Sequence, residues 1–254
     1  LQLNNAGTEG YCDGALPEEV LLTNATGAYG LAISEHMIGM LFELQKKLNL
    51  YAANQRAHIW KEEGNVRLIE GSRVLVIGLG DIGTAFARKM KGLGCRTVGI
   101  KRREARKPEG VDDLFTLERL EQQLPKADIV ALCLPGYEGT YHMLNEERIA
   151  MLKENAVVLN VGRGMTVDTE ALTKALREGR IAGACLDVTD PEPLPSEHPL
   201  WDMDNVILTP HVSGRFSLPE TLEKILNICI ENLECYLVKR PLRNVIDRKT
   251  GYRM

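Results

Sequence analysis

No apolar run in this chain approaches the length of a membrane span, so no transmembrane segment is expected. No Cys-x-x-Cys pair occurs among Cys12, Cys95, Cys133, Cys185, Cys229 and Cys235, and His36, His58, His142 and His198 lack metal-ligand spacing. A zinc site and a disulfide framework are both disfavoured, and no metal is expected. Cys95, Cys133 and Cys185 lie in or beside apolar runs and read as small buried hydrophobes in a reducing, cytoplasmic compartment. No serine or cysteine sits on a nucleophile elbow. A large charge excess is absent too: the net charge is -4, which leaves no global field to attract nucleic acid. The basic cluster at 101–107 is therefore local and needs a local explanation. Internal repeats and low-complexity linkers are missing as well.

What the chain does have is 254 residues with 44% hydrophobic content, enough for one large domain or two smaller ones. From residue 73, short apolar runs rich in β-branched residues recur at 73–79, 96–100, 128–135, 156–162, 183–188 and 205–211. Helical spacing falls between the first five, at 82–93, 116–124, 145–153 and 168–178, with Asp168 as N-cap and Gly179 as stop of the last. Continuous rather than alternating apolar strands imply burial on both faces, hence a parallel sheet covered by helices. The predicted class is α/β, a doubly wound parallel Rossmann sheet of six strands. Residues 31–51 read as one long helix with Met37, Leu41, Leu44, Leu48 and Tyr51 on one face; either it crosses between domains or subunits, or it is an ordinary core helix. A final helix is expected at about 218–238. Residues 1–30 and the tail after that helix have no partner within the six-strand unit, so they are expected to meet in a second, smaller, discontinuous domain.

In open α/β sheets ligands bind beyond the carboxyl ends of the strands. The first strand runs into Gly78, Gly80 and Gly83, spaced Gly-x-Gly-x-x-Gly. The first glycine permits the tight turn, the second lets a pyrophosphate approach, and the third allows close helix–strand packing, while free N–H groups around Asp81 and Ile82 face the anion. The second strand ends in Lys101, Arg102 and Arg103, where an acid for the adenosine ribose is expected. A cationic cluster instead attracts a 2′-phosphate, which favours NADP over NAD; a solvated basic turn with NAD still bound is the other explanation. The third ends in a loop with Pro135 and Thr140, and the fourth in Arg163 between two glycines, suited to two-point recognition of a carboxylate. The fifth ends in Asp187, with Glu192 in the proline-flanked loop beyond, and the sixth in His211. A histidine here can move a proton near neutral pH, and Glu192 is the obvious carboxylate to hold its tautomer.

The stretches "NATGAYGLAISEHMIG" (24–39), "VIGLGDIG" (76–83), "CLPGYEGTYHMLN" (133–145), "LNVGRG" (159–164), "LDVTDPEPLP" (186–195) and "NVILTPHVSG" (205–214) together resemble the D-isomer-specific 2-hydroxyacid dehydrogenase family, in its order and spacing. The resemblance implies NAD(P)-dependent hydride transfer between a 2-keto acid and a 2-hydroxy acid. Arg163 would bind the substrate carboxylate, His211 would give the proton, and Glu192 would orient it. Asp187 would hold the nicotinamide carboxamide; Leu134, Pro135, Thr140, Val161 and Gly214 would line the dinucleotide path. "NNAGTEG" (4–10) resembles the family's second glycine-rich loop, so backbone near Gly7 and Thr8 would help hold substrate. Family members normally begin about half a domain earlier, so an upstream portion of the substrate domain is expected. On this basis residues 1–50 are assigned to that domain and the crossing helix, 51–225 to the dinucleotide domain, and 226–254 to the return. The helix at 31–51 resembles the family's dimerisation region, implying a homodimer. The competing expectation is a dinucleotide-sensing, corepressor-like regulator of the same fold.

Overall fold

The computed structural model describes residues 1–254 apart from 13, 15, 18, 216, 217, 250, 252 and 254. Two helices, α1 (Gly30–Gln45) and α2 (Leu48–Arg56), precede the sheet; strands and helices then alternate except between β2 and β3 and between β6 and β7. The order is β1 (Arg73–Ile77), α3 (Asp81–Gly92), β2 (Arg96–Lys101), β3 (Asp113–Thr116), α4 (Leu120–Gln123), β4 (Ile129–Leu132), α5 (Glu146–Ala150), β5 (Val157–Asn160), α6 (Thr169–Arg177), β6 (Gly183–Leu186), β7 (Val206–Leu208) and α7 (Pro219–Leu237). The seven strands form one parallel sheet in the order β3-β2-β1-β4-β5-β6-β7. Strand order reverses between β1 and β4, the position where doubly wound sheets open a ligand crevice.

The two faces of the sheet take alternate residues, as the pleat requires. Val74 and Val76 join Met37 and Leu41 of α1, Phe86 and Met90 of α3, and Ile225 and Ile228 of α7 in one core. Leu75 and Ile77 point the other way, to Leu120 of α4, Ile149 of α5 and Leu172 and Leu176 of α6. β1, β4, β5 and β6 are thus buried on both sides, which is why their sequences are apolar without alternation. Each such side chain contributes roughly 1.5–3 kcal/mol of burial. The expected cap and stop of α6 are present: Asp168 Oδ1 accepts the Ala171 N–H at 3.0 Å, and Gly179 is left-handed with φ +67°.

Two elements differ from expectation. The seventh strand, β3, is a four-residue edge strand whose side chains are all half-buried, so it carries no apolar run to read. It uses Thr116, expected to start a helix; the helical segment after it is only α4 and short 3-10 turns, with Pro125 in the second of these. The single helix over 31–51 is broken at Lys47, which is left-handed (φ 57°). Lys47 Nζ donates to Glu63 O there, and Tyr51 Oη accepts the Glu63 N–H. Consequently Leu48 does not continue the core face of α1 but is 51% exposed.

Two short segments, at 1–3 and 22–24, meet tail residues 244–246 beyond the C-terminal ends of the strands. Leu3 N–H donates to Thr23 O, Ile246 N–H to Leu22 O, and Leu3, Leu22 and Ile246 form a small third core.

Candidate active site

A cleft of about 840 Å³ runs along the C-terminal ends of β1, β2, β4 and β5 and under the 6–9 loop and the tail. At its centre is the β1–α3 turn. Gly78 has φ +96°, and a Cβ on it would lie 2.6 Å from Cys133 O; one on Gly83 would lie 2.0 Å from Gly78 O. Gly80 differs: a Cβ there would meet nothing within 4 Å. Two glycines are therefore demanded by the fold, and the third leaves open space at the N-terminus of α3. That is the opening a pyrophosphate needs, and the helix-terminal N–H groups complement its charge. The Asp81 carboxylate turns away from this space, accepting the N–H groups of Gly27 (3.1 Å) and Gly30 (2.8 Å) at the start of α1.

Lys101, Arg102 and Arg103 line the cleft on the β2 side; Leu134, Pro135, Thr140 and Val161 line it on the β4 and β5 side. Thr140 is buried and fixes its loop, with Oγ1 donating within reach of Pro135 O at 2.8 Å and accepting the Tyr137 N–H at 3.1 Å.

Arg163 stands at the β5 end of the cleft. A Cβ on Gly162 would lie 2.4 Å from Leu134 O, and one on Gly164 would lie 1.8 Å from Thr189 O, so both flanking glycines answer to neighbouring backbone. The buried Asn160 holds the turn, donating to Arg163 O at 3.0 Å and accepting the Gly162 N–H at 3.1 Å; Thr166 Oγ1 donates to Arg163 O at 2.7 Å. The guanidinium lies over Gly7, where a Cβ would approach within 2.0 Å of Nη2. It is paired with Glu9: Nε to Oε1 at 2.9 Å and Nη2 to Oε2 at 3.2 Å. Burial alone would raise the Glu9 carboxyl; the Arg163 charge, with hydrogen bonds from Glu9's own backbone, Arg163 and Gly136, outweighs it and holds the group below its ordinary range.

Glu192 and His211 meet: Nδ1 of the imidazole is 2.6 Å from Oε1 of the carboxylate. His211 has φ 51°, a left-handed backbone that histidine tolerates better than most residues. Asp187 builds that turn. Its backbone O accepts the His211 N–H at 2.8 Å, and its buried carboxylate accepts the N–H groups of Val212 (2.9 Å) and Ser213 (3.1 Å) and the hydroxyls of Thr209 and Ser213. Four donors fill the carboxylate's capacity and tie the loop that carries His211 to the end of β6. The loops of Arg163 and Glu192 are joined by the Gly164–Thr189 contact already described.

Of the expected site residues, Gly7, Thr8, Gly78, Gly80, Asp81, Ile82, Lys101, Arg102, Arg103, Leu134, Pro135, Thr140, Val161 and Arg163 share the cleft wall. Gly83, Asp187, Glu192, His211 and Gly214 do not line it; Gly214 packs on α1, where a Cβ would lie 3.0 Å from Ile33 Cδ1. Sequence reasoning missed Glu9, Asn160 and tail residues 242–246 in the wall or its support. Asn160, a polar residue closing an apolar strand, carried a legible signal; the tail residues carried none.

The model of the D-isomer specific 2-hydroxyacid dehydrogenase NAD binding domain matches residues 38–213. The chain belongs to the D-isomer-specific 2-hydroxyacid dehydrogenase family. Within that family, the glyoxylate reductase of Thermococcus onnurineus is 41% identical over 191 residues, 72% of this chain and 56% of that enzyme. The chain thus spans little more than half of that reductase's length in the match. A D-isomer specific 2-hydroxyacid dehydrogenase family protein from Aeromonas salmonicida superposes with a TM-score of 0.87 at 32% identity, over 97% of this chain and 78% of the other. A dehydrogenase of the same family from Xanthobacter autotrophicus Py2, solved with NADPH and MES, gives a TM-score of 0.86 at 33% identity, over 99% and 79% of the two chains. Residues 38–213, the family's NAD-binding domain, contain the whole β1–α3 turn described above.

Proposed function

We propose that this protein reduces a small 2-keto acid of the glyoxylate or hydroxypyruvate type, preferring NADPH, and runs the reverse oxidation at the same site. The observation that carries the reading is the 2.6 Å contact between His211 and Glu192. Glu192 engages Nδ1 and so assigns the catalytic proton to Nε2, which has no hydrogen bond among the described residues. From Nε2 the proton passes to the substrate's carbonyl oxygen, and Glu192 supports the imidazolium from which it leaves. Arg163 holds the substrate carboxylate, with the backbone near Gly7 and Thr8 beside it, and its charge stabilises the developing alkoxide. The dinucleotide, when bound, supplies the hydride. Lys101, Arg102 and Arg103 select the phosphorylated form by offering cations where a ribose-binding acid would repel a 2′-phosphate. The Thermococcus relative is a glyoxylate reductase and the Xanthobacter relative was solved with NADPH, which supports both halves of the reading.

The protein works as a cytoplasmic homodimer. Unpaired cysteines suit a reducing compartment, and the apolar side chains exposed just past α2, Ile59, Trp60, Val66 and Leu68, support the dimer.

Comparing kcat/KM for NADPH and NADH, with glyoxylate and hydroxypyruvate as acceptors, tests the proposal. NADPH is expected to win by roughly 10-fold or more, the value of one charge-assisted hydrogen bond. A clear NADH preference refutes the cofactor half. Failure of every 2-keto acid with both cofactors, while dinucleotide still binds, refutes the enzyme and leaves a dinucleotide-sensing regulator. His211→Ala is expected to lower kcat by about 10²–10⁴-fold with dinucleotide affinity unchanged; equal loss of both would make His211 structural.

A further inference from the structure

The geometry points to Glu9 as a positioning residue that holds the Arg163 guanidinium so that only its end-on pair of N–H groups is left for the substrate carboxylate. This rests on the proposed function, because it concerns the carboxylate subsite of that reaction. An arginine has five N–H donors in a fixed planar fork, arranged as one side-on edge (Nε and Nη2), one end-on edge (Nη1 and Nη2), and one Nη1 N–H turned back toward the chain. Glu9 faces the side-on edge with both oxygens: Nη2 donates to Oε2 at 3.2 Å, and Nε lies in ion-pair contact with Oε1 at 2.9 Å. Nη1 donates to Gly162 O at 2.8 Å. Nη1 and Nη2 each keep one further N–H. The end-on edge on which these two nitrogens lie matches the two oxygens of a carboxylate.

Glu9 is itself held. The Gly136 N–H donates to Oε1 at 3.2 Å, which ties Glu9 to the loop after β4 as well as to Arg163. The 4–8 loop beneath it is pinned by Asn24 Nδ2 to Ala6 O at 2.8 Å and by Tyr29 Oη to Asn4 O at 2.5 Å. The absence of a Cβ at Gly7 is what admits the guanidinium against this loop. The clamp joins two segments 154 residues apart in sequence, so the subsite is assembled only when the N-terminal loop docks on the sheet. Because two donors suffice for a carboxylate, the substrate has no need to displace Glu9. Glu9 fixes the direction of the fork, so the subsite favours a planar carboxylate over a spherical anion.

The test compares the wild-type protein with Glu9→Gln and Glu9→Ala. The pair is half-exposed, so both variants are expected to fold with nearly unchanged Tm. Releasing the fork is expected to raise KM for glyoxylate, costing about 10²-fold in kcat/KM as a misplacement of about 1 Å does. The kcat at saturation should fall far less, and NADPH affinity should stay the same. In parallel, oxamate, an inert carboxylate, is titrated into the NADPH complex by calorimetry. Its affinity should fall by the same factor in both variants, and chloride should compete no better with the wild type than with the variants. An unchanged KM and unchanged oxamate affinity would overturn the inference, and a lowered KM would overturn it in the opposite sense, showing that Glu9 competes with substrate. A wild-type protein that binds oxamate without turnover refutes the proposed reaction while the oxamate arm still decides the role of Glu9. If wild type shows neither turnover nor binding, both fall.

Discussion

Replacing Gly80 and Gly83 by alanine, one at a time, separates the ligand's requirement from the fold's. At Gly83 the new Cβ would lie 2.0 Å from Gly78 O, a backbone atom that can yield only by moving the β1–α3 turn. An overpacking cost of about 3 kcal/mol, the upper end of the usual range, is expected. At roughly 2–4 °C per kcal/mol for a chain of this size, Tm should fall by about 6–12 °C. At Gly80 the backbone is extended (φ -82°, ψ -152°) and the new methyl meets no protein atom within 4 Å beyond its neighbours along the chain. Alanine is the poorer N-cap there, by about 0.5–1 kcal/mol. It also restricts the unfolded chain, which returns about 0.4–1 kcal/mol. The two nearly cancel, so Tm should change by no more than about 2–3 °C. The methyl would nonetheless stand in the space where a pyrophosphate meets the α3 N-terminus. Loss of one charge-assisted hydrogen bond there weakens dinucleotide binding by roughly 10–100-fold. Thermal denaturation and a fluorescence titration with NADPH on both variants measure the two quantities. If Gly80→Ala binds NADPH like wild type, the open space is not the pyrophosphate site. If it melts as low as Gly83→Ala, the distinction between the two glycines is wrong.

Acid stability should depend on Asp112. Its Oδ1 pairs with Lys91 Nζ at 2.6 Å and its Oδ2 accepts the Thr97 N–H at 2.9 Å, joining α3 to β2. The Lys91 hydrogen bond first, then Thr97, holds this carboxyl down at about 2. A depressed folded-state value means that the stabilisation is complete above the ordinary carboxylate range and is lost as pH falls through that range toward about 2. Tm measured against pH should show this limb, flattened in Asp112→Asn; an identical limb in the variant would assign it elsewhere. Thiol reactivity should follow burial, which pushes Cys95 up to about 11 and raises Cys185 further. At pH 8 a maleimide is expected to leave these two unlabelled in the native protein and to label all six cysteines in guanidinium; rapid native labelling of either would contradict the packing.

Elements that bury both faces were legible residue by residue, because such a strand must be apolar throughout and a helix between two of them must show a 3.6 period. β1, β4, β5, β6 and β7 were each recognisable from their runs, and so was α6 from Asp168 and Gly179. β3 was not, because an edge strand with half-buried side chains carries too little apolar signal. The break at Lys47 was not either: a left-handed residue that is not glycine leaves no mark in the text, and its anchor, Glu63, lies outside the helix.

The same division holds at the site. Fold class, family, the glycine-marked turn and the residue types at the strand ends could be read from the residues alone, since backbone conformation and burial restrict which residues can stand there. How those residues pair came from the folded chain. Arg163 has carboxylates available throughout the chain, and Glu9 is its partner because the 4–8 loop is pinned by Asn24 and Tyr29 over Gly7. Glu192 reaches His211, and Asp187 turns inward to build the histidine's loop, because two strand ends lie side by side in the sheet. Contacts between residues far apart in sequence depend on closing the chain around a core, and no local pattern records which side chains that closure brings within 3 Å.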